Sequence, residues 1–161
     1  MRVICTGPIS SGTRLLHTIT SVILKGYKDT EVVHRSMPQW DDFWDWREVD
    51  GDRFVIIVRR PDFAVRSAWK QGHGDPELVG TDGRMHWAHL GHRMTEEELM
   101  GWWGKAMIRL AAIPLAYWVS YEALVENMDR QVENLAMWLG NPFGYDKAAI
   151  PAIYDANEQY R

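Results

Sequence analysis

The chain has 161 residues, with 18 Lys and Arg against 22 Asp and Glu, a formal net charge of −4. A chain of this size buries roughly 70% of the surface it exposes when unfolded, enough for one core and too little for two ordinary domains. The mildly acidic balance argues against a general nucleic-acid binder, and no apolar run reaches the roughly 18 residues of a membrane helix.

No repeat, low-complexity tract or long linker interrupts the sequence, so a single domain over 1–161 is expected. One cysteine cannot form an internal disulfide, and Gly7-Pro8 cuts short any signal-peptide core. Both features fit a reducing, cytoplasmic setting.

Residues 3–5 form a short apolar run ending at a glycine turn, as a buried strand does. From Thr13, Leu15, Leu16, Ile19, Val22 and Ile23 follow helical spacing, closed by Gly26. A second short strand is expected over 31–34. The continuous apolar run over 54–58 has the pattern of a strand covered on both faces, as in a parallel sheet. Pro61 stops it, and 62–71 reads as a helix. Thr95 and Glu98 form a capping-box pattern for a helix running toward Ala111. The apolar run over 113–119 reads as a strand with Pro114 near its start. The last helix, over 130–139, stops at Gly140. Strands alternating with helices predict an α/β fold with a parallel sheet.

Two segments carry candidate chemistry. The first turn, over 7–14, has glycines and small hydroxyl residues between a strand and a helix. Backbone N–H groups in such a turn converge on an anion, and the helix dipole adds attraction. Gly7 and Gly12 have the spacing of a nucleotide triphosphatase loop, but Thr13 stands where its lysine belongs. The loop therefore suits an anion other than magnesium triphosphate. A tight turn with no ligand explains the same residues. The second segment runs from Arg59 to Ser67 at the end of the third strand. Ligands gather at the carboxyl ends of strands in open α/β sheets, and the planar fork of Arg59 suits phosphate. An ordinary helix start with exposed arginines is the plainer reading of that segment alone.

Together the segments resemble the sulfotransferase family. Pro8-Ile9-Ser10-Ser11-Gly12-Thr13-Arg14-Leu15 is similar to its P-[KR]-S-G-T-x-[WL] loop, with one extra residue after the proline. Residues 59–67 keep the arginine-to-serine interval and the proline of its R-N-P-x-D-x-x-x-S motif. Val119-Ser120-Tyr121-Glu122-Ala123-Leu124 looks like its strand-ending Y-E-x-L, and Trp138-Leu139-Gly140 like its F-L-G helix end. The motifs occur in family order and cover most of the chain.

The resemblance implies a three-layer, P-loop-like fold with a central, mainly parallel sheet flanked by helices. It implies transfer of a sulfuryl group, by in-line attack, from PAPS (3′-phosphoadenosine 5′-phosphosulfate) to a hydroxyl or amine. Ser10, Ser11, Gly12, Thr13 and Arg14 would lie at the 5′-phosphosulfate, and Arg59 and Ser67 at the 3′-phosphate. No metal is required, in agreement with the missing lysine. The expected partner is a small-molecule or glycan acceptor, without nucleic acid or membrane.

The sequence departs from the family in three places. Ser10 replaces the cationic residue of the first loop, no segment matches the C-terminal R-K-G-x-x-G-x-W, and Ser36 occupies the base position of K-[TS]-H-x-P. His34 lies two residues before Ser36 and is nominated as base, because residues two apart in an extended chain share a side. An imidazole takes a proton near neutral pH without perturbation. A strand-end histidine bonded to a backbone carbonyl is the structural alternative.

His86, His89 and His92 recur every three residues, but Gly91 weakens a helix there and no carboxylate or cysteine lies among them. A segment over 73–93 covering the acceptor suits them better than a metal site. Trp40, Phe43, Trp44 and Trp46 suit either stacking on a sugar or aromatic acceptor or satellite core packing. Trp102, Trp103 and Trp138 read as core, Cys5 as an inert buried thiol, and Glu122 as a structural acceptor for a nearby loop. Two rivals remain: a small P-loop kinase of a nucleoside or metabolite, and a non-catalytic nucleotide-binding relative.

Overall fold

The computed structural model describes residues 1–35, 45–72 and 92–150. Strand β1 (Arg2–Thr6) is followed by helix α1 (Thr13–Ile23) and strand β2 (Glu31–His34). A single 3₁₀ turn at Trp46–Glu48 precedes β3 (Arg53–Val58) and α2 (Pro61–Lys70). Helix α3 (Glu96–Ala111), strand β4 (Tyr117–Ser120) and helices α4 (Tyr121–Glu126) and α5 (Met128–Leu139) complete the order.

The four strands form one sheet in the order β2-β1-β3-β4, and every pair is parallel. Alternation along each strand divides two cores. Val3, Cys5, Val55 and Ile57 face α1 and α5, packing on Leu16, Ile19, Leu135 and Ala136. Ile4, Phe54 and Ile56 face the other way, onto Ala106 and Leu110 of α3. With both faces covered, neither β1 nor β3 has a side for polar residues, which explains their unbroken apolar runs. A third cluster, Ile9, Val65, Ala68, Met94 and Leu99, joins α2 to α3 beneath the first turn. The architecture is therefore a parallel sheet between helical layers.

Local chemistry fixes several boundaries. Thr95 Oγ1 accepts from Glu98 N, and Glu98 Oε2 accepts from Thr95 N at 2.7 Å, closing the expected capping box. Gly140, at φ 84, ends α5 in the left-handed conformation. The last strand differs from expectation. β4 begins only at Tyr117, because Leu115 turns out at φ 55 and is 94% exposed. The segment from Val119 to Leu124 ends β4 at Ser120 and passes directly into a helix: Ser120 Oγ caps α4 by accepting from Ala123 N at 3.3 Å. No described helix is long and apolar enough to cross a membrane.

The strand order creates a switch point. The chain leaves β1 for β2 on one side and returns to β3 on the other. The turns after β1 and β3 thus diverge above adjacent strands and leave a crevice at their carboxyl ends.

Candidate functional site

The crevice is bounded by the first turn and by the segment after β3. Two glycines shape the turn, and both answer to packing. A Cβ on Gly7 would overlap the Ile57 carbonyl oxygen, so the turn presses on the backbone of β3. Gly12 has φ 91, and a Cβ there would lie 2.6 Å from Cδ2 of Tyr121. Their spacing therefore has a structural cause independent of any ligand. Ser10 takes φ 59, the left-handed conformation that residues with a Cβ disfavour. Ser11 is fully buried, and its Oγ has no hydrogen-bond partner among the described residues. Helix α1 then starts at Thr13 with no side-chain cap and no acid in its first turn. Its partial positive charge is not offset within its own first turn.

Arg59 leaves β3 beside this turn. Its Nη1 donates toward the Ser10 carbonyl at 3.5 Å, and its guanidinium carbon lies 4.7 Å from the Tyr121 ring centroid. The same ring touches Gly12, so Tyr121 is the floor on which the turn and the arginine both rest. Among the described residues no carboxylate pairs with Arg59. Its neighbours differ: Arg60 pairs with Asp62 at 3.1 Å, and Arg66 with Glu96 at 3.7 Å. Ser67 lies on α2, where its Oγ accepts from Gln71 Nε2 at 3.2 Å. Gln71 Oε1 in turn accepts from Ser10 Oγ at 3.4 Å.

His34 ends β2 in register with Cys5, one strand across from the first turn. Its Nε2 lies 2.9 Å from Thr13 Oγ1, a hydroxyl of the turn. His17 stands edge-on to it, with ring centroids 5.9 Å apart, and reaches the Val32 carbonyl at 3.2 Å. Arg35 continues the β1 ladder by donating its N–H to the Cys5 carbonyl. Arg14 sits exposed in the first turn of α1.

The structure thus brings Ser10, Ser11, Gly12, Thr13, Arg14, Arg59, Ser67 and His34 to one edge of the sheet. Glu122 plays the expected structural part: its two oxygens accept from Arg60 N at 2.9 Å and Ser120 Oγ at 3.1 Å. Burial pushes the Cys5 thiol up to about 12, which keeps it protonated and inert. Trp46 packs edge-on against Phe54 beside the α3-side core, as satellite core packing requires. Trp40, Phe43, Trp44, Ser36, His86 and His89 lie outside the described residues, as does all but the last two residues of 73–93. His92 is bonded to Glu98 at 3.2 Å. Among the described residues no group of three or more His, Cys, Asp or Glu gathers as a metal site.

Sequence reasoning missed Tyr121 and Gln71. The four-residue interval from Ser67 to Gln71 was the available signal for the second. Nothing local could show that the Tyr121 ring reaches Gly12.

The chain is an α/β protein with a donor-rich crevice at its sheet edge. The sequence matches no family model and no curated protein.

Proposed function

We propose that the protein is a sulfotransferase-like enzyme on a P-loop-like scaffold, transferring a sulfuryl group from PAPS to a hydroxyl or amine of a small-molecule or glycan acceptor. The observation that carries this reading is the meeting of an uncapped helix start with the Arg59 guanidinium, 3.5 Å from the Ser10 carbonyl. The donor set fits the cofactor. It consists of hydroxyls, backbone N–H groups and guanidinium, all of which donate to anionic oxygens. The buried Ser11 hydroxyl lacks a partner among the described residues, as a ligand-facing donor does.

PAPS supplies the activated sulfuryl group. Ser10, Ser11, Gly12, Thr13 and Arg14 would hold its 5′-phosphosulfate, and Arg59 and Ser67 its 3′-phosphate. His34 would take the acceptor proton at Nε2. That atom now faces the Thr13 hydroxyl, so the proton can be taken only when this bond is exchanged for the acceptor. A relative that binds the nucleotide without transferring sulfate is favoured by one feature: Ser10, at the family's cationic position, directs its hydroxyl to Gln71.

Thermal unfolding with adenosine 3′,5′-bisphosphate, compared with ATP and magnesium, tests the cofactor class. A hundredfold excess over the dissociation constant stabilises by about 2.7 kcal/mol, several degrees for this length. A shift with ATP and magnesium alone overturns the reading in favour of a kinase. Transfer of labelled sulfate from PAPS to an acceptor panel tests the chemistry, and binding without transfer supports the non-catalytic relative. His34→Ala should abolish transfer and keep the bisphosphate shift; unchanged transfer removes His34 as base.

A further inference from the structure

We infer that Gln71 is a positioning residue that decides which serine of the crevice donates to an anion, an inference that rests on the phosphate-binding reading above. Ser67 and Gln71 stand four residues apart, the interval that places two side chains on one helix face. Long side chains lean toward the start of their helix. Gln71, the residue that caps the end of α2, therefore reaches back over Ser67. Its Nε2 donates to Ser67 Oγ at 3.2 Å, and its Oε1 accepts from Ser10 Oγ at 3.4 Å. One neutral amide thus ties the turn after β1 to the helix after β3, across the switch point. It also engages the side chain of Ser10, whose backbone takes the unfavourable φ of 59.

A serine hydroxyl has one proton and two lone pairs, while an amide presents donors at one end and an acceptor at the other. Ser10 commits its proton to the amide oxygen. Ser67 receives a proton from the amide nitrogen and keeps its own for a further acceptor. Rotating the amide by half a turn exchanges the two roles. In neither orientation are both serine protons left for a ligand. An anion accepts only from donors, so the amide determines which serine serves it. In this structure that serine is Ser67, on the helix that follows Arg59.

Titration calorimetry with adenosine 3′,5′-bisphosphate and adenosine 5′-phosphate tests this on the wild type, Gln71→Glu, Gln71→Met, Ser67→Ala and the Gln71→Met/Ser67→Ala double variant. Gln71 is exposed and both of its replacements keep its length, so folding is preserved. A carboxylate at 71 accepts from both hydroxyls and adds like charge, so Gln71→Glu should weaken bisphosphate binding about tenfold or more. Gln71→Met should weaken it about threefold, from loss of one orienting hydrogen bond. The double variant should bind no more weakly than Ser67→Ala alone, because Gln71 acts through Ser67. Adenosine 5′-phosphate, which lacks the group assigned to Ser67, should change less than about twofold with Gln71→Met. Wild-type affinity in both Gln71 variants, additive losses in the double variant, or equal losses for both ligands would overturn the inference while leaving the phosphate reading intact. A wild type that binds neither ligand removes that reading, and the inference with it.

Discussion

The two rims of the sheet use arginine in opposite ways. At the amino rim, Arg2 lies 3.1 Å from the Glu31 carboxylate and 3.5 Å from that of Asp50, while its backbone N–H donates to Asp52 at 2.6 Å. Arg53, also there, donates to the Trp138 carbonyl at 2.6 Å and lies over that indole, 5.2 Å from its centroid. Both guanidinium groups contact groups that hold the fold together: carboxylates for Arg2, a carbonyl and an indole for Arg53. At the carboxyl rim, Arg59 lies on the Tyr121 ring and points at a turn rich in donors. The difference shows why a net charge of −4 does not exclude an anionic ligand: it is an average over an acid-lined rim and a donor-lined one.

The largest expected effect concerns the glycines of the two rims. Gly7→Ala drives a Cβ into the Ile57 carbonyl, which belongs to the β3 backbone and cannot rotate aside. It should cost about 3 kcal/mol in urea unfolding. At the other rim, Gly51→Ala meets Cγ1 of Ile4 at 2.6 Å, the side chain of a core residue, and should cost nearer 1 kcal/mol. Equal costs would show that the turn is not pressed on β3 as described.

The arginines should separate by observable. Arg53→Ala should lower stability by about 1–2 kcal/mol through the lost carbonyl bond and ring contact, with bisphosphate affinity kept. Arg59→Ala should lower bisphosphate affinity by roughly tenfold to a hundredfold, the worth of a charged hydrogen-bond donor. If both variants lost stability alone, the contrast between the rims would disappear.

A smaller effect sharpens the contrast between two helix starts. α1 begins without a side-chain cap, whereas α3 is closed by Thr95 and Glu98. The backbone N–H of Thr95, and then His92, hold the Glu98 carboxyl below its usual value. A lowered folded value means the contribution is present above the unfolded carboxylate range, near about 4.3. It is lost as the pH falls through the folded value. Glu98→Gln should therefore flatten the acid limb of the stability profile and leave that limb's remaining carboxylates unchanged. Thr95→Ala should cost about 1 kcal/mol at neutral pH. An unchanged acid limb would show that the carboxylate does not close the helix.

Much of this was legible in particular residues. The run from Phe54 to Val58 announced a doubly covered strand because no polar residue interrupts it. Thr95 with Glu98, and Gly140, marked helix ends because capping is local chemistry. The stretch from Ile113 to Ala116 misled for a matching reason. Its residues are apolar, yet Pro114 and Leu115 are exposed in a turn, and composition carries no sign of the φ of 55 at Leu115. At the candidate site, residue types were readable, but the contacts of Gln71 and Tyr121 were not.

The sequence by itself determined most of the strands and helices, since periodicity, caps and breakers act within a few residues; helix α4 and the turn at Leu115 were the exceptions. It also determined that two of those segments carry anion-type donors. Only the tertiary structure decided that these donors meet. That depends on β1 lying between β2 and β3, on Tyr121 supporting both Gly12 and Arg59, and on Gln71 spanning from α2 to Ser10. Such contacts join residues about 50 to 110 positions apart, and their partners are fixed by how the layers pack rather than by neighbours in the chain.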